Sequence, residues 1–156
     1  MKLVGNEKHS WTKNNLMTKP YLISGGKFKD NRGSISFVND FKFEDVKRFY
    51  IIEHQDTSVI RAWQGHKAEK KYFYVVNGSF MIKAIKPDNW ENPSKELVAE
   101  KFILNENESK ILCLPQGFIN GFKALEENSK LIVFSNMENE ESADDLIRFP
   151  LDYWKF

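Results

Sequence analysis

From Tyr21 to Ser135 the chain is cut about every 8–12 residues by Gly, Pro, Asn or Asp, and the stretches between are rich in β-branched and aromatic residues. That spacing leaves no room for long helices. Ser34-Ile35-Ser36-Phe37-Val38 alternates polar and apolar residues, which predicts a half-buried strand. Val46–Glu53, Lys71–Val76 and Ser79–Ile85 read as further strands, followed by Leu97–Leu104, Ser109–Leu114, Gly117–Ala124 and Lys130–Ser135. Lys29–Gly33 reads as a turn, and Lys67–Lys70 as a charged one. Asn77-Gly78 is the strongest hairpin signal, with Ser79–Ile85 expected to return beside Lys71–Val76. One helical turn is expected within Glu138–Leu146. About ten short strands on this spacing predict an all-β fold, a single β-barrel or jelly roll.

One domain is expected over residues 1–156, with a core barrel at about 20–136 and a tail over 137–156. Residues 1–18 read as a loose arm or edge strand, and Phe149–Phe156 as an extended aromatic tail available for packing in a dimer. The 13 Phe, 5 Tyr and 4 Trp supply enough apolar area to exclude a disordered chain. A net charge of +1, from 23 basic and 22 acidic residues, points to neither nucleic acid nor a membrane surface. The one cysteine, Cys113, cannot form an internal disulfide and sits in an apolar run, so a buried structural thiol is expected. Met1–Lys8 has no long apolar core, and no run approaches the ~18 apolar residues of a membrane span. A soluble, cytoplasmic protein is expected.

Chemistry concentrates in Ile60–Lys67 and the strand after it. Gln64 and His66 are two residues apart on a strand and share a face, where Lys71 can converge on them from the next strand. Either they form a pocket, or His66 is a satisfied structural imidazole. Leu114–Phe122 answers from the far end of the domain, with one amide, Asn120, in an apolar strand. A buried amide needs partners, whether a ligand or the loop backbone. Arg32 and Arg61 are candidate phosphate clamps, because a guanidinium matches phosphate oxygens two at a time. Trp63, Tyr72, Phe73 and Tyr74 could stack on a flat base or sugar face, or belong to the core.

These residues resemble the cupins, and more closely their deoxysugar-nucleotide branch, the dTDP-4-dehydrorhamnose 3,5-epimerases and dTDP-4-oxo-6-deoxyglucose 3,4-ketoisomerases. The first cupin motif places His-x-His, a Glu four or five residues on, and a Gly seven residues later. Gln64-Gly65-His66, Lys71 and Gly78 keep that spacing with other residues. Pro115-Gln116-Gly117-Phe118-Ile119-Asn120 stands for the second motif, Pro-x-Gly-x-x-His. Arg61–Lys67 is similar to the Arg-Gly-Phe-His-Ala-His-Lys segment of the ketoisomerases, Pro115–Phe122 to the Pro-x-Gly-Phe-Ala-His-Gly-Phe of the epimerases, and Asp30-Asn31-Arg32-Gly33 to their Asp-x-Arg-Gly turn.

The resemblance implies a metal-independent nucleotide-sugar 4-keto epimerase or ketoisomerase of surface-polysaccharide biosynthesis, without cofactor and acting as a homodimer. Gln64, His66, Lys71 and Asn120 replace the three imidazoles and carboxylate of a cupin metal site, and a protonated lysine repels a cation. Gln64 has no usable basicity where the epimerases carry their proton-abstracting histidine, and Leu131–Ser135 lacks their late tyrosine. His66 is then the expected base, with Lys71 or Tyr74 as proton donor or enolate stabiliser. Arg32, Arg61, Trp63, Gln64 and Asn120 are the expected substrate contacts. The alternative reading is an impaired cupin that binds a sugar nucleotide or carbohydrate without turnover.

Overall fold

The computed structural model describes residues 18–156, so the arm expected at the N-terminus lies, but for its last residue, outside the described residues. In chain order these form β1 (Tyr21–Ser24), β2 (Gly26–Asp30), β3 (Gly33–Phe37), β4 (Arg48–Glu53), β5 (Ile60–His66), β6 (Lys71–Asn77) and β7 (Ser79–Ile85). There follow β8 (Glu100–Asn105), β9 (Lys110–Leu114), β10 (Phe118–Ala124), β11 (Lys130–Ser135), helix α1 (Asn139–Asp145) and β12 (Leu146–Arg148). One five-stranded sheet has the order β1-β9-β6-β11-β4, and the other β12-β5-β10-β7-β8. All pairings are antiparallel. From β4 to β7, and again from β8 to β12, each strand lies in the other sheet from the one before. The result is a jelly-roll sandwich, the expected all-β class, rather than a ladder closed on itself.

Strand alternation builds the core between the sheets. Phe73 and Val75 of β6, Leu112 and Leu114 of β9, and Leu131 and Val133 of β11 meet Phe80 and Ile82 of β7 and Phe118 and Phe122 of β10. Burying each such side chain is worth roughly 1.5–3 kcal/mol. The outer face of the second sheet carries a separate aromatic layer. There Trp63, Ile85 and Ile119 lie under Trp154, with Phe149, Tyr153 and Phe156 beside them. Backbone bonds in both directions between Trp63 and Phe149 stitch the tail down. The tail expected to be extended and open to a dimer partner is thus folded back on its own sheet. The first sheet is backed by Phe41, Ile111 and Cys113 with Tyr21, Tyr72 and Tyr74. Cys113 is buried as expected, and burial first, with Asp45 adding, pushes its thiol up to about 11.

Two local expectations fail. Asn77-Gly78 does not join a hairpin, because β6 pairs with β9 and β11 while β7 pairs with β8 and β10. It is a corner at which the chain crosses between sheets, and Gly78 supplies the positive φ, 71°, that the corner needs. Strand β3 is exposed along its whole length instead of half-buried, since among the described residues β2 and β3 pair only with each other. Among the described residues no helix is long and apolar enough to cross a membrane.

Candidate active site

Strand β5 ends at His66 and β6 begins at Lys71, and the turn between them is fastened from the far end of the chain. The Asp145 carboxylate of α1 accepts from the backbone N–H of Ala68 at 3.0 Å and of Glu69 at 2.9 Å. Asn136 Oδ1 accepts from the N–H of Lys70 at 2.8 Å. This grip turns Glu69 inward, so that its side chain is 0% exposed within a run of charged residues. The Ser135 and Ser142 hydroxyls donate to its carboxylate at 2.5 and 2.9 Å, and the Arg48 guanidinium lies at 3.3 Å.

His66 and Lys71 complete the cluster. His66 Nε2 is 3.0 Å from Lys71 Nζ, and both side chains are buried. His66 Nδ1 is 2.9 Å from Glu69 Oε2, but off the axis of the ring N–H, which makes it a close polar contact rather than a linear hydrogen bond. Asp145 Oδ2 lies at 3.6 Å from the same nitrogen, and Lys71 Nζ at 3.7 Å from Glu69 Oε2. Burial opposes the charge on Glu69, yet the contacts from His66, Lys71 and Ser135 outweigh it and hold the carboxyl down at about 2. Burial pulls Lys71 below the ordinary lysine value, with Glu69 opposing that fall.

A cavity of about 270 Å³ opens between β4 and β5, lined by Tyr50, Ile51, Ile52, Glu53, Arg61, Gln64 and Phe122. Gln64 on its wall shares a strand face with buried His66, and Tyr50 shares one with Arg48. A register shift between Asn120 and Phe122 of β10 lets Arg61 and Gln64, three residues apart, both reach the cavity. Asn120, paired with Gln64 and 1% exposed, donates its Nδ2 to the Gln64 backbone oxygen at 3.2 Å. Its Oδ1 is buried without a partner, which costs ~1–3 kcal/mol unless a donor arrives.

Of the residues named from sequence, the structure brings together His66, Lys71, Gln64, Asn120 and Arg61. Five others lie elsewhere, among them Phe73 in the core between the sheets and Tyr72 on the outer face of the first sheet. Trp63, one residue out of phase with Gln64, points into the outer aromatic layer and gives its indole N–H to the Leu151 carbonyl at 3.3 Å. Tyr74 is three residues from Lys71, so alternation sends it to the opposite face beside Ile111 and Cys113. Arg32 sits on the tip of the β2–β3 hairpin, 82% exposed and paired with Asp30 at 2.6 Å, and this chain does not carry it to the cavity. Sequence reasoning missed Glu69, Arg48, Tyr50, Ser135, Ser142 and Asp145. Only Tyr50 and Arg48 left a signal there, the inward phase of β4.

The set does not fit a metal ion, because Lys71 Nζ occupies the position where a cation would meet His66 Nε2. Among the described residues no group of three or more His, Cys, Asp or Glu could hold one. The cluster can instead move a proton: an imidazole beside a buried amine, with fixed carboxylates behind both.

Among solved structures the chain is similar to QdtA, a sugar 3,4-ketoisomerase from Thermoanaerobacterium thermosaccharolyticum in complex with TDP. The two are 22% identical, with a TM-score of 0.66 over 88% of this chain and 93% of that one. The WlaRB TDP-quinovose 3,4-ketoisomerase from Campylobacter jejuni is 21% identical, with a TM-score of 0.66 over 88% and 98%. A dTDP-4-dehydrorhamnose 3,5-epimerase from Bacillus anthracis, with TDP and PPi bound, is 17% identical at a TM-score of 0.70 over 86% and 81%. At these identities the likeness is one of fold. Comparison with curated proteins gives no match. The model of the family FdtA: WxcM-like, C-terminal matches residues 18–156, which is most of the sequence, and the chain belongs to that family.

Proposed function

We propose that this chain is a nucleotide-sugar 4-keto epimerase or ketoisomerase of deoxysugar biosynthesis for surface polysaccharide, working without a metal. The observation that carries this is the buried His66–Lys71 pair at 3.0 Å, its imidazole on the strand whose Gln64 and Arg61 wall a cavity. The solved relatives named as TDP-sugar ketoisomerases and epimerases support turnover rather than binding alone.

A ketone acidifies the C–H on its neighbouring carbon. His66 takes that proton, the C–H electrons move into the new C=C, and the carbonyl electrons settle on oxygen as an enolate. The Lys71 ammonium stabilises the enolate charge as it forms. Returning a proton to the opposite face of the carbon gives the epimer. Protonating the former carbonyl carbon instead, with loss of the neighbouring O–H proton, moves the ketone by one position. Arg61 at the exposed rim holds the diphosphate. The orphaned Asn120 Oδ1 accepts from a sugar hydroxyl.

The protein is further proposed to act in the cytoplasm as a homodimer. Support comes from the β2–β3 hairpin, which stands apart from both sheets and exposes Phe28, Ile35 and Phe37. Partnering there would also give Arg32 a site to serve.

The test is proton NMR of dTDP-4-oxo-6-deoxyglucose with the protein in deuterated buffer. Deuterium entering a ring carbon beside the ketone, or a shifted ketone, is expected. A nucleotide sugar that binds but keeps its ring protons would overturn the proposal.

A further inference from the structure

We infer that Glu69 is the positioning residue of this site: from the β5–β6 turn it holds Lys71 as an ammonium against His66, so that base and oxyanion-stabilising cation act as one fixed unit. The inference rests on the deprotonation reading above, but its main observable does not.

A glutamate in a charged turn belongs in water, and here the fold spends several contacts to bury it. The two carboxylate oxygens divide the work. Oε1 is anchored by the Ser135 hydroxyl from β11 and by Arg48 from β4. Oε2 is held by the Ser142 hydroxyl from α1, and this oxygen faces both His66 Nδ1 at 2.9 Å and Lys71 Nζ at 3.7 Å. A carboxylate serving only to neutralise Arg48 would need none of the Oε2 contacts.

The charged groups around Lys71 come from several elements, while Leu114 of β9, paired with it, is apolar. His66 approaches from β5 and Glu69 from the turn, while Arg48 of β4 adds a second cation and Asp145 of α1 a second carboxylate. Ser135 of β11, its partner in register, is uncharged. Tyr50 of β4 stacks under Arg48. Arg48 and burial both favour a neutral amine at Lys71, and the carboxylates favour the ammonium, Glu69 most strongly. Glu69 is therefore the main group that holds charge on Lys71 against burial.

The experiment uses Glu69→Gln in the full chain, an isosteric change that removes the charge and keeps an acceptor oxygen for one of the two serines. Lys71 is followed through a pH titration by NMR of its ¹³Cε, in the protein without ligand, beside the pH profile of kcat/KM. The Lys71 midpoint is expected to move to lower pH in Glu69→Gln. The alkaline limb of the profile moves with it, so that kcat/KM at pH 8 falls about tenfold while KM changes little, and Glu69→Asp recovers part of the loss. An unmoved midpoint in a folded variant overturns the inference, as does a moved midpoint with an unmoved limb. If Glu69→Gln does not fold, Ser142→Ala loosens Oε2 alone and must shift the midpoint in the same direction, or the inference fails. A wild-type protein without turnover would sink the deprotonation reading, while the titration would still judge the hold of Glu69 on Lys71.

Discussion

A carboxylate without exposed surface survives only where donors replace its lost water, and Glu69 has them from Ser135, Ser142 and Arg48. Its folded value of about 2 lies below the ordinary 4.5, so between those values the unfolded chain binds more protons than the folded one. Glu69 therefore stabilises the fold fully above about pH 4.5, by an amount on the order of a few kcal/mol, and that stability is lost as pH falls toward 2. Urea unfolding across pH 2–6 is expected to show stability falling with acid in the wild type, with a flatter slope in Glu69→Gln. Equal slopes would mean that the carboxyl is not held. None of this was readable in advance from Lys67–Lys70, because what turns Glu69 inward comes from Ser135, Asn136, Ser142 and Asp145, more than 60 residues along the chain. His66 and Lys71 were readable, since residue types and strand phase sufficed. Phase alone also separates Tyr74 from Lys71 and Trp63 from Gln64.

Strands were legible as strands because a half-buried sheet imposes a period of two on its own sequence. Which strand pairs with which was not, because the same turn residues serve a hairpin and a corner. At Gly78 the backbone must hold φ of 71°, and an added Cβ would run into the Ser129 side chain. That serine is itself engaged, accepting from the Ser79 N–H at 3.1 Å and donating to the Glu126 carbonyl at 2.8 Å. Gly78→Ala is expected to cost about 1–3 kcal/mol by chemical denaturation, the left-handed strain plus displacement of Ser129. A loss below about 0.5 kcal/mol would show that the corner relaxes freely. The β2–β3 hairpin is the reverse case: its alternation promised a buried face, and among the described residues no sheet covers it.

At the scale of the molecule, an uncovered hairpin bearing Phe28 and Ile35 and an exposed Arg32 at its tip fit a homodimer. Light scattering is expected to give twice 18.3 kDa, and Phe28→Asp with Ile35→Asp to return the single-chain mass. A wild-type protein of 18.3 kDa at micromolar concentration would refute the dimer. The sandwich places its polar cluster where β5, β6, β11, β4 and α1 meet, so that one buried imidazole and one buried amine lie together with carboxylates around them, while neighbouring residues of β4 and β5 line the cavity. On the proposal above, His66 is the base. The most direct check is to run the deuterium-exchange assay on His66→Ala beside the wild type. The account predicts exchange at the carbon next to the ketone in the wild type and a loss of about 10²–10⁴-fold in the variant, with nucleotide binding retained. Wild-type exchange in His66→Ala would contradict it.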